Sequence, residues 1–293
     1  MSFSLPSFAK INLHLEVLGK RGGGYHDICT VFQTVSLHDK LIFTACDEVR
    51  LSCSDPRIPT DGGNLIVKAA AILKDRKRID AGALINLEKR IPSPGGLGGG
   101  SSNAAATLIG LVKLWGIEIK FEELLEIAGE LGSDVPFFFY GGTAIGKGRG
   151  TEITRMEDFD ERFLLIVTPN VAVSTKEAFA GLNLTTEGAE SILNNCRFDG
   201  ESFDLLYATM RNDFETTVFA AYPEIGIVKQ ALLDLGARQA MMSGSGASVF
   251  GIFDKEETRQ ATQKALEKHL NWRMFAVAAI SRSEYREALG ITY

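Results

Sequence analysis

The residues best suited to chemistry form a glycine-rich stretch, Pro92-Ser93-Pro94-Gly95-Gly96-Leu97-Gly98-Gly99-Gly100-Ser101-Ser102, between a predicted strand and a predicted helix. Glycine lets backbone N–H groups approach an anion closely, and a helix start adds unpaired N–H donors and the positive end of its dipole. The stretch therefore predicts a phosphate-binding loop. It lacks the Gly-Lys-Ser/Thr ending of a Walker A loop and the spacing of the GxGxxG motif. A flexible loop with a serine N-cap is the alternative, which five glycines in six positions disfavour.

Lys10 and Asn12 lie on one face of a predicted strand over residues 9–17. The apolar side chains alternate with them, as in a strand with one buried face: Ala9, Ile11, Leu13, Leu15 and Val17. An ammonium group and an amide on one face can bind an anion or orient a hydroxyl group. A lysine in this pattern is equally compatible with a solvated strand face.

Asp134 follows a predicted helix over residues 121–131 and stands two residues before Pro136. A carboxylate accepts a proton from an attacking alcohol, and a neighbouring cation keeps that carboxylate ionised. Aspartate at such a position is also a common turn or helix-cap residue. Its spacing alone leaves both roles open.

Aromatic side chains suggest a site for a nucleobase. Tyr25 and His26 follow the turn Lys20-Arg21-Gly22-Gly23-Gly24, which presents a ring and an imidazole at one edge. Rings stack on bases, and imidazole nitrogens bond to base edges. Phe179 lies on a predicted helix over residues 175–182, where stacking on a base and burial in the core are equally open.

The remaining pattern alternates strands and helices, which predicts an α+β protein. Further strands are expected at residues 29–37, 41–45, 49–53, 83–87, 163–167, 237–242, 247–253 and 274–280. Further helices are expected at residues 64–78, 101–115, 203–209, 224–235 and 255–269. A charged stretch at residues 157–162 divides the chain into predicted domains of residues 1–160 and 161–293, and 293 residues suit two such domains.

The composition excludes several classes of function. The net charge is −6, with 37 acidic and 31 basic residues, which disfavours a surface built to bind nucleic acid. No apolar run is long enough to span a bilayer, and polar residues interrupt the N-terminal segment where a signal peptide would need its apolar core. The four cysteines form no CxxC pair. We therefore expect a cytoplasmic protein with reduced thiols, no structural zinc and no membrane partner.

Four segments together carry a resemblance that covers nearly the whole chain. The stretch at residues 92–102 resembles the ATP-binding motif of the GHMP superfamily, which includes galactokinase, homoserine kinase, mevalonate kinase and phosphomevalonate kinase. Met242-Ser243-Gly244-Ser245-Gly246-Ala247-Ser248-Val249-Phe250 resembles the C-terminal glycine-rich motif of that superfamily. Ser7-Phe8-Ala9-Lys10-Ile11-Asn12-Leu13 and Gly24-Tyr25-His26 are similar to the 4-diphosphocytidyl-2-C-methyl-D-erythritol kinase family of the non-mevalonate (MEP) isoprenoid pathway.

The resemblance implies a fold and a reaction. The fold would combine an N-terminal domain similar to domain 2 of ribosomal protein S5 with a ferredoxin-like C-terminal α/β sandwich, and the active site would lie in the cleft between them. The reaction would be ATP-dependent phosphorylation of the 2-hydroxyl of 4-diphosphocytidyl-2-C-methyl-D-erythritol. Asp134 matches the family's catalytic aspartate, and Lys10 matches its partner lysine.

The resemblance also implies the binding residues and cofactors. ATP would lie along residues 92–102, with Mg²⁺ held mainly by phosphates, and no metal ligand is predicted. The acceptor would contact Asn12, Tyr25, His26, Thr175, Phe179, Gly244, Ser245 and Gly246, with cytosine between Tyr25 and Phe179. The partners would be these small molecules alone, bound by a monomer or homodimer.

Several interpretations stay open at this level. The acceptor of such a kinase could be homoserine, mevalonate or a sugar, although the Tyr25-His26 pair disfavours acceptors without a base. A catalytically silent ligand sensor is a second alternative. Lys147 and Arg149 could bind a diphosphate or lie on an exposed hairpin. Residues 212–215, Asn-Asp-Phe-Glu, are assigned to helix packing.

Overall fold

A computed structural model describes residues 2–21, 26–182 and 203–291 of the chain. Two β-sheets with helices packed against them make up the molecule. The predicted α+β class is confirmed. The N-terminal half contributes the first sheet and the C-terminal half contributes the second.

The first sheet contains six strands. They are β1 (Ser2–Lys20), β2 (His26–Cys46), β3 (Val49–Cys53), β4 (Gly82–Glu88), β5 (Thr143–Lys147) and β6 (Glu152–Arg155). Five of them follow the order β3-β4-β2-β5-β6, and β1 pairs antiparallel with β2. The pairing of β3 with β4 is parallel, and the other pairings of this sheet are antiparallel.

Four helices accompany this sheet: α1 (Leu65–Lys77), α2 (Gly99–Trp115), α3 (Phe121–Leu131) and α4 (Phe137–Tyr140). Asn64 caps α1, because its side-chain oxygen accepts a hydrogen bond from the N–H of Ile66 at 2.9 Å. The α2 helix buries alanine and leucine side chains against α1 and the sheet. This packing fixes the helix that begins at the end of the glycine-rich stretch.

The second sheet has four antiparallel strands in the order β10-β7-β9-β8. They are β7 (Leu164–Pro169), β8 (Gln239–Met242), β9 (Val249–Ile252) and β10 (Trp272–Val277). The accompanying helices are α5 (Thr175–Ala180), α6 (Phe203–Thr209), α7 (Glu215–Ala221), α8 (Pro223–Asp234), α9 (Glu256–Leu266) and α10 (Arg282–Leu289). Helices α8 and α9 pack against this sheet.

Strand β1 is buried on both faces, so the prediction of a half-buried strand is wrong. Ile11 and Leu13 belong to an apolar cluster that also contains residues of the second sheet, such as Ile166 and Phe250. Lys10 and Asn12, on the opposite face, are 3% and 1% exposed. The second half of the chain covers a face that alternation alone would assign to solvent.

The predicted strands at residues 29–37 and 41–45 form one continuous strand, β2. The polar residues between them, His38, Asp39 and Lys40, suggested a turn. Their backbones instead pair with β1, where Ser7 lies opposite Asp39. The carboxylate of Asp39 is fully buried and accepts hydrogen bonds from the N–H groups of Arg90 and Ile91 at 2.7 and 2.8 Å.

Other predictions need correction in detail. The sequence pattern predicted no elements at α4, β5, β6, α7 or α10. His14 on β1 is buried, and its Nδ1 lies 2.9 Å from the Thr209 carbonyl oxygen. Burial lowers the pKa of its imidazole. Cys46 and Cys53 are free thiols.

Within the described ranges, the helices are all too short or too polar to span a lipid bilayer.

Two helical glycines give opposite predictions for stability. A Cβ at Gly110, in α2, would overlap the ring of Phe43, which is fully buried on β2. We expect Gly110→Ala to lower the free energy of unfolding by about 1–3 kcal/mol, because overpacking of a core exceeds the gain in helix propensity. Gly129→Ala, in α3, meets no atom within 4 Å and should stabilise by about 0.5–1 kcal/mol. Urea unfolding measures both, and equal effects would contradict this packing of α2 on β2.

Candidate active site

A cavity of about 770 Å³ lies between the two halves of the chain. Its lining includes residues 92–101 of the glycine-rich stretch, together with Lys10, Asn12 and Asp134. Ser102, which was also predicted to bind ATP, is buried, and its hydroxyl accepts a hydrogen bond from Ser7 instead. The second glycine-rich segment contributes Gly244, Ser245 and Gly246, and α5 contributes Thr175 and Phe179. The cavity therefore brings together residues that lie far apart in the sequence.

The glycine-rich stretch opens directly into α2. Gly96 and Gly98 have positive φ angles of 70° and 68°, a conformation that favours glycine. Gly98 is the N-cap of α2 and offers no side chain to the first N–H groups, and the first turn contains no acidic residue. The start of α2 therefore presents backbone donors and a positive dipole end to the cavity, which suits an anion.

The ammonium group of Lys10 is enclosed beside this loop. Its Nζ lies 3.3 Å from Oδ2 of Asp134 and donates a hydrogen bond to Oδ1 of Asn12 at 2.7 Å. The Lys10 side chain is 4% exposed, whereas that of Asp134 is 33% exposed. The lysine is thus buried and paired, while the carboxylate remains accessible from the cavity. A hydroxyl group that enters the cavity can reach this carboxylate.

A short chain of hydrogen bonds orients the lysine. The amide of Asn12 donates to Oγ1 of Thr30 at 2.7 Å, and that hydroxyl donates to the carbonyl oxygen of His14 at 2.7 Å. The side-chain oxygen of Asn12 is therefore directed at Lys10. The N–H of Lys10 donates to the carbonyl oxygen of Leu97 at 3.0 Å, which ties β1 to the glycine-rich stretch.

The two glycine-rich segments touch each other. Ser243 Oγ donates to the carbonyl oxygen of Gly96 at 2.9 Å, and the N–H of Ser248 donates to that of Gly95 at 3.2 Å. A Cβ at Gly96 would overlap the carbonyl oxygen of Ser243. A Cβ at Gly244 would lie 3.4 Å from Nζ of Lys10. Both segments therefore enclose the lysine.

The far end of the cavity is aromatic. The rings of His26 and Phe179 stack with centroids 4.6 Å apart and an interplanar angle of 12°. Phe214 meets Phe179 edge-on at 4.8 Å. Burial and, to a smaller extent, the charge of Lys20 lower the pKa of His26, which favours the neutral imidazole. Thr175 Oγ1 and Ser245 Oγ lie 2.9 Å apart nearby.

The predicted base-binding residues are only partly described. Tyr25 lies outside the described residues, so its stacking with Phe179 stays a prediction. One face of the Phe179 ring is in contact with the His26 imidazole. A base that stacks on that face would take the position of this imidazole.

Several residues that line the cavity were not predicted from the sequence: Leu15, Ile28, Phe32, Leu65, Val173, Lys176 and Phe214. Most are apolar and have no distinctive spacing. Phe214 belongs to the segment at residues 212–215, which had been noted but assigned to packing. Arg149, whose role was left open, also lines the cavity.

Asp39 is a further residue that the sequence did not identify. Besides the N–H groups of Arg90 and Ile91, its carboxylate accepts hydrogen bonds from Lys89 Nζ at 2.7 Å and Asn103 Nδ2 at 3.0 Å. Residues 89–91 precede the glycine-rich stretch and Asn103 follows it. A single buried carboxylate therefore binds both ends of the stretch. Burial lowers the pKa of Lys89, and the charge of Asp39 opposes this shift.

The described residues contain no group of three or more His, Cys, Asp or Glu side chains that could hold a metal ion. Asp134, Ser93, Ser101 and Ser133 are among the oxygen-bearing side chains at the cavity. Such a set suits a hard cation only when a ligand supplies further oxygen atoms.

Two family models match the chain. The GHMP kinases N terminal domain matches residues 64–142, and the GHMP kinases C terminal model matches residues 194–271. Relatives called 4-diphosphocytidyl-2-C-methyl-D-erythritol kinase include that of Syntrophotalea carbinolica, which is 39% identical over 96% of this chain and 99% of its own length. That of Thermoanaerobacter pseudethanolicus is 41% identical over 88% of this chain and 90% of its own length.

Solved structures agree with these matches. A crystal structure of a 4-(cytidine 5'-diphospho)-2C-methyl-D-erythritol kinase has a TM-score of 0.77 and 30% identity, covering 94% of this chain and 99% of that one. Homoserine kinase from Cytophaga hutchinsonii has a TM-score of 0.70 and 21% identity, and the match covers 96% of this chain and 95% of that one. The second similarity concerns the fold alone.

The contact between the two glycine-rich segments can be tested by adding a single methyl group. We expect Gly96→Ala to weaken ATP binding at least about tenfold, because the methyl group would overlap Ser243 and the residue needs a positive φ. Gly62→Ala, at a loop glycine with no atom within 4 Å, is the control and should bind like the wild type. Isothermal titration calorimetry measures both affinities. Unchanged binding by Gly96→Ala would contradict the described contact.

Proposed function

This chain belongs to the 4-diphosphocytidyl-2-C-methyl-D-erythritol kinase family of GHMP kinases, and we propose that it transfers the γ-phosphate of ATP to the 2-hydroxyl of 4-diphosphocytidyl-2-C-methyl-D-erythritol. The products would be ADP and the 2-phosphate. The step belongs to the MEP pathway of isoprenoid biosynthesis. Both substrates are water-soluble phosphate esters, and we propose a cytoplasmic enzyme that works as a monomer or homodimer.

The pair of Lys10 and Asp134 is the observation that supports this reaction. Phosphoryl transfer needs a positioned phosphate, compensation of its charge and an acceptor hydroxyl in line. The accessible carboxylate of Asp134 accepts the hydroxyl proton as the new P–O bond forms and the bond from the γ-phosphorus to the bridging oxygen breaks. Lys10, whose Nζ lies 3.3 Å from the carboxylate, compensates the developing negative charge.

The glycine-rich stretch would hold the triphosphate. The uncapped N–H groups at the start of α2 suit phosphate oxygens, and Lys10 bonds through its own N–H to Leu97 of the same stretch. The terminal phosphate would thereby face the Lys10 ammonium group. Mg²⁺, held mainly by the phosphates with oxygen atoms of Asp134 or Ser101 close by, would compensate charge on the transferred group.

The acceptor would occupy the rest of the cavity. Its cytosine would stack on Phe179 and bond to His26, and Tyr25 would cover the other face. Asn12, beside Lys10, would contact the erythritol part. Arg149 lines the cavity and supplies a positive charge that suits the diphosphate.

Loss of the carboxylate should abolish turnover while nucleotide binding persists. We expect Asp134→Asn to lower kcat at least about 10²-fold, since the amide cannot accept the hydroxyl proton, with little change in ATP affinity. Asp160→Asn, at an exposed carboxylate paired with Arg162, is the matched control and should keep wild-type turnover. A coupled ADP-release assay measures kcat, and calorimetry measures ATP affinity.

The same assay, run over several acceptors, tests the substrate. The proposal requires turnover with 4-diphosphocytidyl-2-C-methyl-D-erythritol to exceed that with mevalonate, homoserine or galactose by orders of magnitude. Faster turnover with one of the other three would favour the alternative kinase, and wild-type turnover by Asp134→Asn would reject the assigned base.

Removing the aromatic ring of Phe179 should affect one substrate only. We expect Phe179→Ala to raise the KM for the cytidine-linked acceptor about tenfold or more, because stacking on a base contributes about 1–3 kcal/mol, and to leave the KM for ATP unchanged. Phe219→Ala removes a ring outside the cavity lining and serves as the control. Equal changes in both KM values would contradict a base site at Phe179.

A further inference from the structure

Residues 211–215 connect β1 with the second glycine-rich segment. The carbonyl oxygen of Arg211 accepts a hydrogen bond from the N–H of Leu15 at 2.8 Å, and the N–H of Asp213 donates to the carbonyl oxygen of Leu15 at 3.0 Å. Asp213 Oδ2 accepts from the N–H of Val17 at 2.8 Å. This segment is therefore fixed to the strand that also carries Lys10.

Asn212 bonds in the opposite direction, to the second glycine-rich segment. Its amide nitrogen donates to the carbonyl oxygens of Met242 at 2.7 Å and Gly244 at 2.8 Å. Its side-chain oxygen accepts from the N–H of Phe214 at 3.0 Å. The side chain is 5% exposed and uses both its donor and its acceptor atoms.

The direction of the Gly244 carbonyl determines the direction of the next N–H. The peptide bond from Gly244 to Ser245 is trans, so its C=O and N–H point in opposite directions. The carbonyl points at Asn212, which is outside the cavity lining, whereas Gly244 and Ser245 line the cavity. The N–H of Ser245 consequently points toward the cavity. Within the described part of the chain, it donates to no other group.

The position of Ser245 along the cavity identifies the group it would meet. Thr175 and Phe179 lie four residues apart on α5, so they share one face of that helix. Ser245 bonds to Thr175, and Gly244 lies against Nζ of Lys10. The order from the aromatic end is therefore Phe179, Ser245 and Lys10. In the acceptor, the diphosphate lies between the base and the reacting polyol.

We propose that Asn212 is a positioning residue that holds the Ser245 N–H toward the diphosphate of the acceptor. This assignment rests on the proposed function for the identity of the acceptor. The role suits asparagine, because its side-chain NH₂ group donates to the carbonyl oxygens of Met242 and Gly244. Its side-chain oxygen accepts from the N–H of Phe214 at the same time. It assigns to residue 212 an effect on substrate binding rather than helix packing alone.

The experiment compares two ligands that differ in the diphosphate. CDP contains the base, ribose and diphosphate, whereas cytidine lacks the diphosphate. Asn212→Ser keeps a neutral side chain that can accept from Phe214, as serine does in such turns, but it is too short to reach both carbonyl oxygens. We expect calorimetry to show at least about tenfold weaker CDP binding and unchanged cytidine binding, because a hydrogen bond to a charged group is lost.

Two further variants separate positioning from stability and from charge. Asp213→Ala breaks the contact with Val17 in the same segment but leaves the glycine-rich segment untouched, so it should bind CDP like the wild type even if its melting temperature falls. Asn212→Asp keeps the shape and loses the donors, and it should weaken CDP binding as well. If only Asn212→Asp weakened CDP binding, charge repulsion would explain the result and the proposal would be overturned. Equal losses of CDP affinity in Asn212→Ser and Asp213→Ala would overturn it as well.

The wild-type protein provides a test that does not depend on folding of the variants. The amide resonance of Ser245 should shift on addition of CDP and stay in place on addition of cytidine. Equal shifts with both ligands, or none with CDP, would overturn the proposal. Turnover with 4-diphosphocytidyl-2-C-methyl-D-erythritol is measured separately, so a failure of the proposed reaction is distinguishable from a failure of this assignment.

Discussion

The structure depends above all on the burial of one ammonium group. A charged amine loses its hydration when it is buried, and only close oxygen atoms compensate for that loss. Asn12 and Asp134 supply those atoms for Lys10, and their own positions require the pairing of β1 with β2 and the turn after α3. Gly98 has to be glycine in part because a Cβ there would press on the lysine side chain at 3.0 Å. The need to enclose this cation therefore constrains strands, turns and glycines together.

Much of the fold follows from local patterns in the sequence. The helices at α1, α2 and α3 have clear periodicity, and their observed bounds lie within two residues of the predicted ones. The failures have a common cause, which is contact between distant segments. The polar face of β1 looked solvated because alternation does not say whether a second sheet covers a face. Likewise, Asp39 looked like a turn residue because its four donors come from residues 89–103, far along the chain.

In the candidate site, too, local patterns predicted some residues, whereas others are recognised only from contacts between distant segments. Residue type and spacing identified the glycine-rich stretch, since a run of glycines before a helix is a recognisable pattern. They also placed Lys10 and Asn12 on one strand face, but the roles predicted for these two residues came from the family resemblance. Asp134 stood out only through the family resemblance. Leu65, Val173 and Phe214 line the cavity with side chains that look like any core residue, so no local signal could find them. The contact between Ser243 and Gly96 is equally invisible in the sequence, because its two halves lie about 150 residues apart.

The acidic composition is consistent with the kind of group that we propose for phosphate binding. A chain with a net charge of −6 does not attract phosphates by its overall field, so local donors have to bind them. We propose that backbone N–H groups bind them, since these groups add no cations that would need partners of their own. The direction of each N–H is fixed once the carbonyl group of the same peptide is hydrogen-bonded. Asp39 fixes the first glycine-rich stretch through a buried carboxylate, and Asn212 fixes the second through a buried amide. Both buried polar side chains act on the direction of neighbouring peptides, so the cavity needs few charged side chains besides Lys10.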